Sequence, residues 1–371
     1  MKIGTDQYNT FDTMTMDCWN DRVYYEGKEF PAGHFAAGIL NFAGVIHDPL
    51  LERITVLTAL VDDLSTAEKN KRYDIAAQLK PLLHDTVSWL YTCPPFCYCE
   101  SQSAYENLAH ALSGERLDRD YEEEEAHLPY LALSFCEPIL RILVAIYNFC
   151  LLIRTFEMKY LRRSKQRNAD AFAKAAHECF DEDDSFLILL EQMPFGEVEE
   201  FFSYPRVITE YKYFQDENDE KKWKTAQRVI CKRAIDFYVF DLMNGLHHSH
   251  APSQCQGCGK YFLTTNGHIP KYCDGLAPQD SRYTCRQYGA MMRQKEQNKQ
   301  HPVYRLFNTR TGTIRKHHQR GKISDDLRRE ALYLAGSYRD KALMDNDYAA
   351  DGYARDMELE HIYAEAEKRL K

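Results

Sequence analysis

The spacing of apolar residues predicts amphipathic helices through most of the first two thirds of the chain. After Asp48-Pro49, the segment 50–64 carries apolar residues at helical spacing, behind an N-cap residue and a proline at the first helical position. A capping-box pattern at 65–68 begins a second apolar series, in which Pro81 is expected to cause a kink or a break. Further helices are predicted over 103–112, 138–163, 168–179 and 222–246.

Strand patterns are few. Val23-Tyr24-Tyr25 followed by Glu26-Gly27 predicts a small hairpin, and a short strand is expected just after Cys258. There is no βαβ alternation, which argues against a parallel nucleotide-binding sheet. The predicted fold class is therefore mainly α, with a helical N-terminal body.

Composition and the N-terminal sequence favour a cytoplasmic protein with no membrane partner. The chain has 371 residues, of which 44% are apolar and 28% charged, enough for two or three domains. Its first residues lack the basic start and apolar run of a secretory signal. The most apolar stretch, 142–153, is bracketed by Arg141 and Arg154 and is too short to span a bilayer, so a buried core helix is expected there.

The cysteines point to a metal site. Twelve cysteines in a long chain without an export signal indicate reduced thiols or metal ligands rather than disulfides. Cys255-Gln-Gly-Cys258-Gly is a C-x₂-C-G turn, in which the glycines allow the tight backbone that aims peptide N–H groups at the sulfurs. Two more thiols follow within thirty residues. The predicted ligands of one structural Zn²⁺ are Cys255, Cys258, Cys273 and Cys285.

The order of these residues predicts a treble-clef-like module: a hairpin that carries two ligands, then a helix from Cys285 to about residue 300 with a ligand in its first turn. Four thiolates leave no open coordination position, so the zinc is expected to be non-catalytic. His268 is the reserve ligand, because the gap between Cys273 and Cys285 is wide. Cys93, Cys97 and Cys99 form a second cluster in the sequence, and their spacing does not decide whether they bind a metal.

One strongly basic segment stands out in an acidic chain. The net charge is −9, yet residues 285–323 carry +9, with Glu296 as their one acid, so the rest of the chain carries −18. Aromatic and histidine side chains are interleaved with the cations, a combination that suits phosphate contacts and base stacking. We expect 315–322 to be a turn-forming patch between two helices. The candidate contacts to DNA or RNA are Arg286, Arg293, Lys295, Lys299, Arg310, Arg315, Lys316, Arg320 and Lys322.

The cysteine module resembles known families. The run 255–262, then Tyr272-Cys273-Asp274, then 284–290 resembles an uncharacterised bacterial domain-of-unknown-function family with a C-terminal four-cysteine zinc knuckle. More distantly, it is similar to CGNR-type zinc-finger proteins, in which a helical N-terminal domain precedes the zinc module. That resemblance implies a ligand-sensing, DNA-binding regulator.

These patterns predict three parts: a helical body over 1–246 that is a candidate for binding a ligand or a protein partner, a zinc module over 247–300, and a basic segment with C-terminal helices over 301–371. The first functional hypothesis is a zinc-stabilised nucleic-acid-binding regulator or mobile-element accessory protein. The second is a protein-interaction scaffold that binds no nucleic acid. The third, an enzyme, is disfavoured because the chain contains no H-E-x-x-H, G-x-S-x-G, Walker or G-x-G-x-x-G pattern, although catalytic residues distant in sequence would escape such a search.

Overall fold

The computed structural model describes residues 13–42, 49–99, 128–164, 166–191, 205–216, 219–265, 267 and 271–370. The chain divides into two compact units, Met1–Lys271 and Tyr272–Lys371. The predicted boundaries after residues 246 and 300 stay predictions. The predicted helix over 103–112 and the reserve ligand His268 lie outside the described residues.

The described part of the first unit contains a five-stranded antiparallel sheet. Its strands are β1 Met14–Trp19, β2 Arg22–Tyr25, β3 Lys28–Pro31, β4 Val207–Asp216 and β5 Asp219–Cys231. They lie in the order β3-β2-β1-β5-β4. The prediction of a mainly α fold is therefore wrong, because the protein is mixed α/β.

The error arises largely at β5, where a helix was expected over 222–246. The first half of that segment is a strand, and a helix begins only at Ala234. In β5 the buried Val229 and Cys231 lie opposite the buried Met16 and Met14 of β1. Every second side chain at this end of β5 therefore points into the core. Because the first residues of β5 are mostly charged, the apolar residues that would show a period of two occur only in its second half.

The small hairpin predicted around Glu26-Gly27 is confirmed as β2–β3. Glu26 and Gly27 adopt φ angles of 47° and 70°, so both turn residues lie in the left-handed region. Two consecutive positive φ angles match the right-handed twist of the flanking strands, which is why a glycine closes this turn.

Helices complete the first unit. They are α1 His34–Ile39, α2 Pro49–Thr66, α3 Lys69–Leu90, α4 Leu128–Lys159, α5 Ala169–Phe180, α6 Asp184–Glu191 and α7 Ala234–His247. The predicted α2 is confirmed, and α3 continues through Pro81 without a break. Asn168 caps the predicted α5 by accepting a hydrogen bond from the Ala171 amide at 2.9 Å.

The apolar α4 helix is longer than the twelve-residue stretch that the sequence singles out. With the short turn that follows it, Cys136–Arg163 is long and apolar enough to cross a membrane by length and composition alone, and 61% of its most apolar window is buried. Its buried residues, among them Leu143, Ile146 and Phe149, belong to the core of the first unit. That burial agrees with the expectation of a core helix.

Four short strands near the cysteines follow α7, two in the first unit and two in the second, and the rest of the described second unit is mostly helical. These strands are β6 Ala251–Gln254, β7 Tyr261–Thr264, β8 Leu276–Ala277 and β9 Asp280–Thr284. The helices are α8 Cys285–Gln300, α9 Pro302–Gln319, α10 Asp325–Met344, α11 Tyr353–Asp356 and α12 Leu359–Leu370. The strand expected just after Cys258 is confirmed as β7.

The last three long helices enclose a separate small core. Val303 and Ile314 of α9, Leu334 of α10 and Ile362 of α12 are buried in it. The expected turn-forming patch over 315–322 is wrong in its first half, because α9 continues to Gln319. Ile314 is fully buried, and this packing holds the next helical turn in place.

Candidate metal centre

Four cysteine sulfurs meet at one point. The Sγ atoms of Cys255, Cys258, Cys273 and Cys285 all lie within 4.8 Å of one another. A tetrahedral Zn²⁺ with Zn–S bonds of about 2.3 Å would place its sulfurs about 3.8 Å apart, so the cluster has the size of a single-ion site. The four sulfurs that the sequence predicts as ligands are therefore brought together and could hold a metal ion.

The β6–β7 hairpin presents the first two sulfurs. Cys255 follows β6 directly, and its amide donates to the Lys260 carbonyl at 2.8 Å, which closes the turn. Gly259 has a φ of 74° and donates to the Cys255 carbonyl at 2.9 Å. The Gly257 amide donates to the Cys255 Sγ at 3.3 Å. Such N–H···S contacts stabilise negative charge on a thiolate, the form that binds metal.

The long gap between Cys273 and Cys285 is explained by a second hairpin. The β8 and β9 strands pair antiparallel, and the Cys285 amide donates to the Gly275 carbonyl at 2.7 Å. The Arg286 amide donates to the Cys273 carbonyl at 3.1 Å. The eleven intervening residues thus turn back on themselves and return the fourth thiol to the third.

A capping box sets the position of Cys285. The Thr284 amide donates to Gln287 Oε1 at 2.9 Å, while the Gln287 amide donates to Thr284 Oγ1 at 3.2 Å. Cys285 consequently becomes the first residue of α8, where the helix N-terminus favours a thiolate. The T-x-x-Q pattern of Thr284 and Gln287 is the sequence signal for this helix start.

Burial keeps water from most of the site. Cys255 and Cys285 are each 2% exposed and Cys273 is 9% exposed, whereas Cys258 is half-buried. A set of four thiols in a closed, mostly buried cluster fits a soft or borderline divalent ion such as zinc. Four protein ligands also complete a tetrahedral shell, so the arrangement suits a structural role.

Asn41 anchors the β6–β7 hairpin, a role that the sequence did not reveal. Its Oδ1 accepts from the Tyr261 amide at 2.7 Å, and its Nδ2 donates to the Tyr261 carbonyl at 2.9 Å. The side chain thereby mimics one more strand residue beside β7. No sequence pattern links an asparagine to a tyrosine 220 positions later, so the contact appears only in the fold.

Arg167 holds the other side of the hairpin. Its buried guanidinium donates to the Pro252 carbonyl at 3.3 Å and to Thr264 Oγ1 at 3.1 Å, which ties β6 to β7. The Phe172 ring lies against it at 5.4 Å. These contacts fix the hairpin on which Cys255 and Cys258 sit.

The second cysteine cluster does not form a comparable site. Among the described residues, Cys93, Cys97 and Cys99 belong to no metal-sized group of His, Cys, Asp or Glu side chains. Burial raises the pKa of Cys93 to about 12 and that of Cys99 to about 11, so both stay protonated at neutral pH. Cys93 lies in the core of the first unit and Cys99 packs against it, and burial disfavours the thiolate form that binds metal.

The predicted nucleic-acid contacts lie on α8, on α9 and in the turn after α9. Arg286 forms an exposed ion pair with Asp274 at 3.0 Å. Arg310 is half-buried, and its Nε has no hydrogen-bond partner among the described residues. Lys299 lies on α8, but its side chain is outside the described part. The predicted contacts with exposed side chains are Arg286, Arg293, Lys295, Arg315, Lys316, Arg320 and Lys322.

Residues 203–369 match the model of a family of unknown function (DUF6076). The match covers less than half of the 371-residue chain and supports an uncharacterised domain there. No curated protein and no solved structure matches the chain. The zinc-knuckle family resemblance and the CGNR similarity stay predictions.

Proposed function

We propose that the four cysteines hold one structural zinc ion and that the exposed face of α9 binds the phosphate backbone of a nucleic acid. The protein would then act as a zinc-stabilised nucleic-acid-binding regulatory protein. Four thiolates need a reducing environment, so the proposal places the protein in the cytoplasm. A hairpin turn that carries two ligands, followed by a ligand at a helix start, supports a treble-clef-like zinc module.

The observation that supports nucleic-acid binding is a helix face without carboxylates. The outward face of α9 presents Arg305, Asn308, Arg315, Lys316 and Gln319, all exposed. Cations on such a face suit phosphate oxygens, and amide side chains can reach base edges. The opposite face of α9 packs in the small core, so the polar face has a fixed orientation.

The neighbouring helix shows that this pattern is not shared by the whole unit. On α10, Arg328 pairs with Asp325 and Arg329 pairs with Asp326, so acids compensate these cations locally. Arg315 and Lys316 of α9 have no ion-pair partner among the described residues. Uncompensated charge on one helix creates the local positive potential that attracts phosphate even in a chain of negative total charge.

The zinc proposal is tested by metal analysis of the full chain purified under reducing, chelator-free conditions. One equivalent of zinc is expected, with loss of the ion in Cys258→Ser. Cys97→Ser is the matched control, since that thiol is exposed and lies outside the cluster. Purified protein without zinc, or zinc retained equally by both variants, would contradict this part of the proposal.

The nucleic-acid proposal is tested separately by measuring affinity for duplex and single-stranded nucleic acid at several salt concentrations. Arg315→Ala/Lys316→Ala is expected to weaken binding and to reduce the slope of log K against log salt by about two, roughly one for each lost phosphate contact. Arg328→Ala/Arg329→Ala, which removes the same charge from α10, should leave the slope nearly unchanged. Equal effects of the two double variants, or no binding by the wild type, would refute it.

A further inference from the structure

The outer strand of the sheet has a long edge beside which the described residues place no further strand. β4 spans ten residues, and among the described residues its one strand neighbour is β5. An edge strand presents a row of backbone N–H and C=O groups that can pair with another chain, and long, flat edges favour association. Natural edge strands are usually short or interrupted. An edge strand as long as β4 is therefore typical of a surface that pairs with another chain.

Large aromatic side chains lie beside this edge on one face of the sheet. Tyr211, Tyr213 and Trp223 are 68%, 71% and 65% exposed. The register pairs Tyr213 with Thr225 and Gln215 with Trp223, which places all three aromatic residues on the same face. Aromatic residues are enriched in protein interfaces, where they supply contact area at low entropic cost.

Symmetry restricts how β4 could pair with its own copy. Antiparallel pairing requires a twofold axis perpendicular to the sheet, which keeps every side chain on its own face. Residues directly opposite each other must share a face, and side chains alternate along a strand. The axis must therefore pass through a residue rather than between two residues, which leaves a short series of possible registers.

Charge selects one register from this series. Centring the pair on Glu210 would place two glutamates opposite each other, and centring it on Lys212 would do the same for two lysines. Like charges directly opposite are destabilising, whereas opposite charges are stabilising. Centring on Tyr211 places Glu210 opposite Lys212 of the second copy, twice by symmetry.

The same register also matches the other side chains of the strand. Tyr211 lies opposite its own copy, Thr209 opposite Tyr213, and Ile208 opposite Phe214. Aromatic–aromatic and aromatic–β-branched pairs are among the stabilising cross-strand combinations. Ile208 lies on the opposite face from Tyr211 and is 48% exposed in the single chain, so pairing would cover apolar surface on that face as well.

We propose that β4 is a self-association surface, on which a second copy of this chain pairs antiparallel in the register centred on Tyr211. This contact joins two five-stranded sheets into one continuous sheet. The partner is identified by charge complementarity: the sequence of β4 is complementary to itself in this register and in neither neighbouring one.

Charge reversal on the full-length protein tests the register. Glu210→Lys and Lys212→Glu each place like charges opposite each other at both symmetric positions, and each should weaken the dimer by at least about tenfold. The double variant Glu210→Lys/Lys212→Glu restores opposite charges and should dimerise like the wild type. Lys222→Glu on β5 is the matched control, because it makes the same charge change away from the edge.

A mixture of the two single variants gives the sharpest result. Glu210→Lys carries two lysines and Lys212→Glu carries two glutamates at these positions, so a mixed dimer has only complementary pairs. Sedimentation equilibrium over a roughly hundredfold concentration range, in which mass action reveals a dimer, should show the mixed dimer where each variant alone is a monomer. Circular dichroism of each variant controls for folding.

Three outcomes would overturn the proposal. The first is a wild-type protein that stays monomeric over the whole range. The second is a dimer that the single reversals weaken no more than Lys222→Glu does. The third is a mixture of single variants that associates no better than either one alone, which would show that this register is not used.

Discussion

The carboxylate of Asp241 is fully buried and should make the stability of the first unit depend on pH. It lies in α7 and accepts hydrogen bonds from the Gly33 amide and the Ala36 amide, both at 2.9 Å. It thus caps the N-terminus of α1 from a distant part of the chain. Burial raises the pKa of Asp241 from its ordinary value of 3.8 to about 6, and the backbone N–H donors oppose the rise without cancelling it.

The sign of the effect follows from this direction. Because the folded protein binds the proton more tightly than the unfolded chain, the stabilisation is complete below pH 3.8 and is lost as pH rises to about 6. Each pKa unit corresponds to about 1.4 kcal/mol, so the loss across this window is about 3 kcal/mol. Asp241→Asn removes the titration and changes stability by a pH-independent amount.

The assay is urea unfolding of the wild type and of Asp241→Asn between pH 4 and pH 7. The three tryptophans, Trp19, Trp89 and Trp223, all lie in the first unit, so their fluorescence reports on that unit. Any loss of the proposed metal at acid pH would affect both proteins equally and cancel in the difference. The unfolding free energy of the wild type minus that of the variant should fall with rising pH. A difference that rises instead would refute the argument, because the N–H donors would then outweigh burial.

Three further predictions concern the ion pair in the sheet, a close backbone contact and the metal. Asp17 and Arg228 are 1% and 3% exposed and are joined by hydrogen bonds of 2.6 and 2.8 Å. Replacing one partner leaves a buried charge unpaired, so Asp17→Ala should lower the unfolding free energy by about 3–5 kcal/mol, whereas Asp17→Leu/Arg228→Met should lower it much less in the same urea assay. Gly245→Ala should destabilise the first unit by at least about 2 kcal/mol, because its Cβ would lie 2.8 Å from the Gly33 Cα, whereas Gly336→Ala in α10, with open space around it, should be neutral or slightly stabilising by circular dichroism. Removal of the proposed metal by a chelator should expose the amides of the hairpins next to the cysteines to hydrogen exchange while α9, α10 and α12 keep their protection, and loss of protection throughout those helices would contradict the separate core.

Local patterns in the sequence were sufficient for the cysteine site and for many helix limits. The C-x₂-C-G turn and two later cysteines identify four sulfurs that the fold brings within 4.8 Å of one another. Ser324, directly before Asp325-Asp326, is a typical N-cap residue, and its hydroxyl accepts from the Leu327 amide at 3.2 Å at the start of α10. Helix caps and the C-x₂-C-G turn involve residues within a few positions of each other, so a short stretch of sequence is enough to predict their geometry.

The sheet could not be derived in the same way. β5 pairs with β1 across more than two hundred residues, and the pairing of Asp17 with Arg228 depends on that distant contact. The run 219–224 is dominated by charged residues, which intrinsic propensity disfavours in strands. The alternation of β-branched and aromatic residues in Val207–Asp216 was the available indication, and a helical interpretation of the following segment obscured it.

There is a physical reason why the cysteine site could be predicted from the sequence and the sheet could not. Between Tyr272 and the start of α9, the buried apolar side chains that the structure describes are Cys273, Ala277 and Cys285, all of them small. So little apolar area stabilises a fold by only a few kcal/mol, whereas binding of a structural zinc ion is worth about 10–16 kcal/mol. The proposed metal would therefore replace a core in this segment, and its ligands would be the residues that determine the local structure. The sheet is stabilised by packing among many residues that are distant in sequence, so no short motif predicts it.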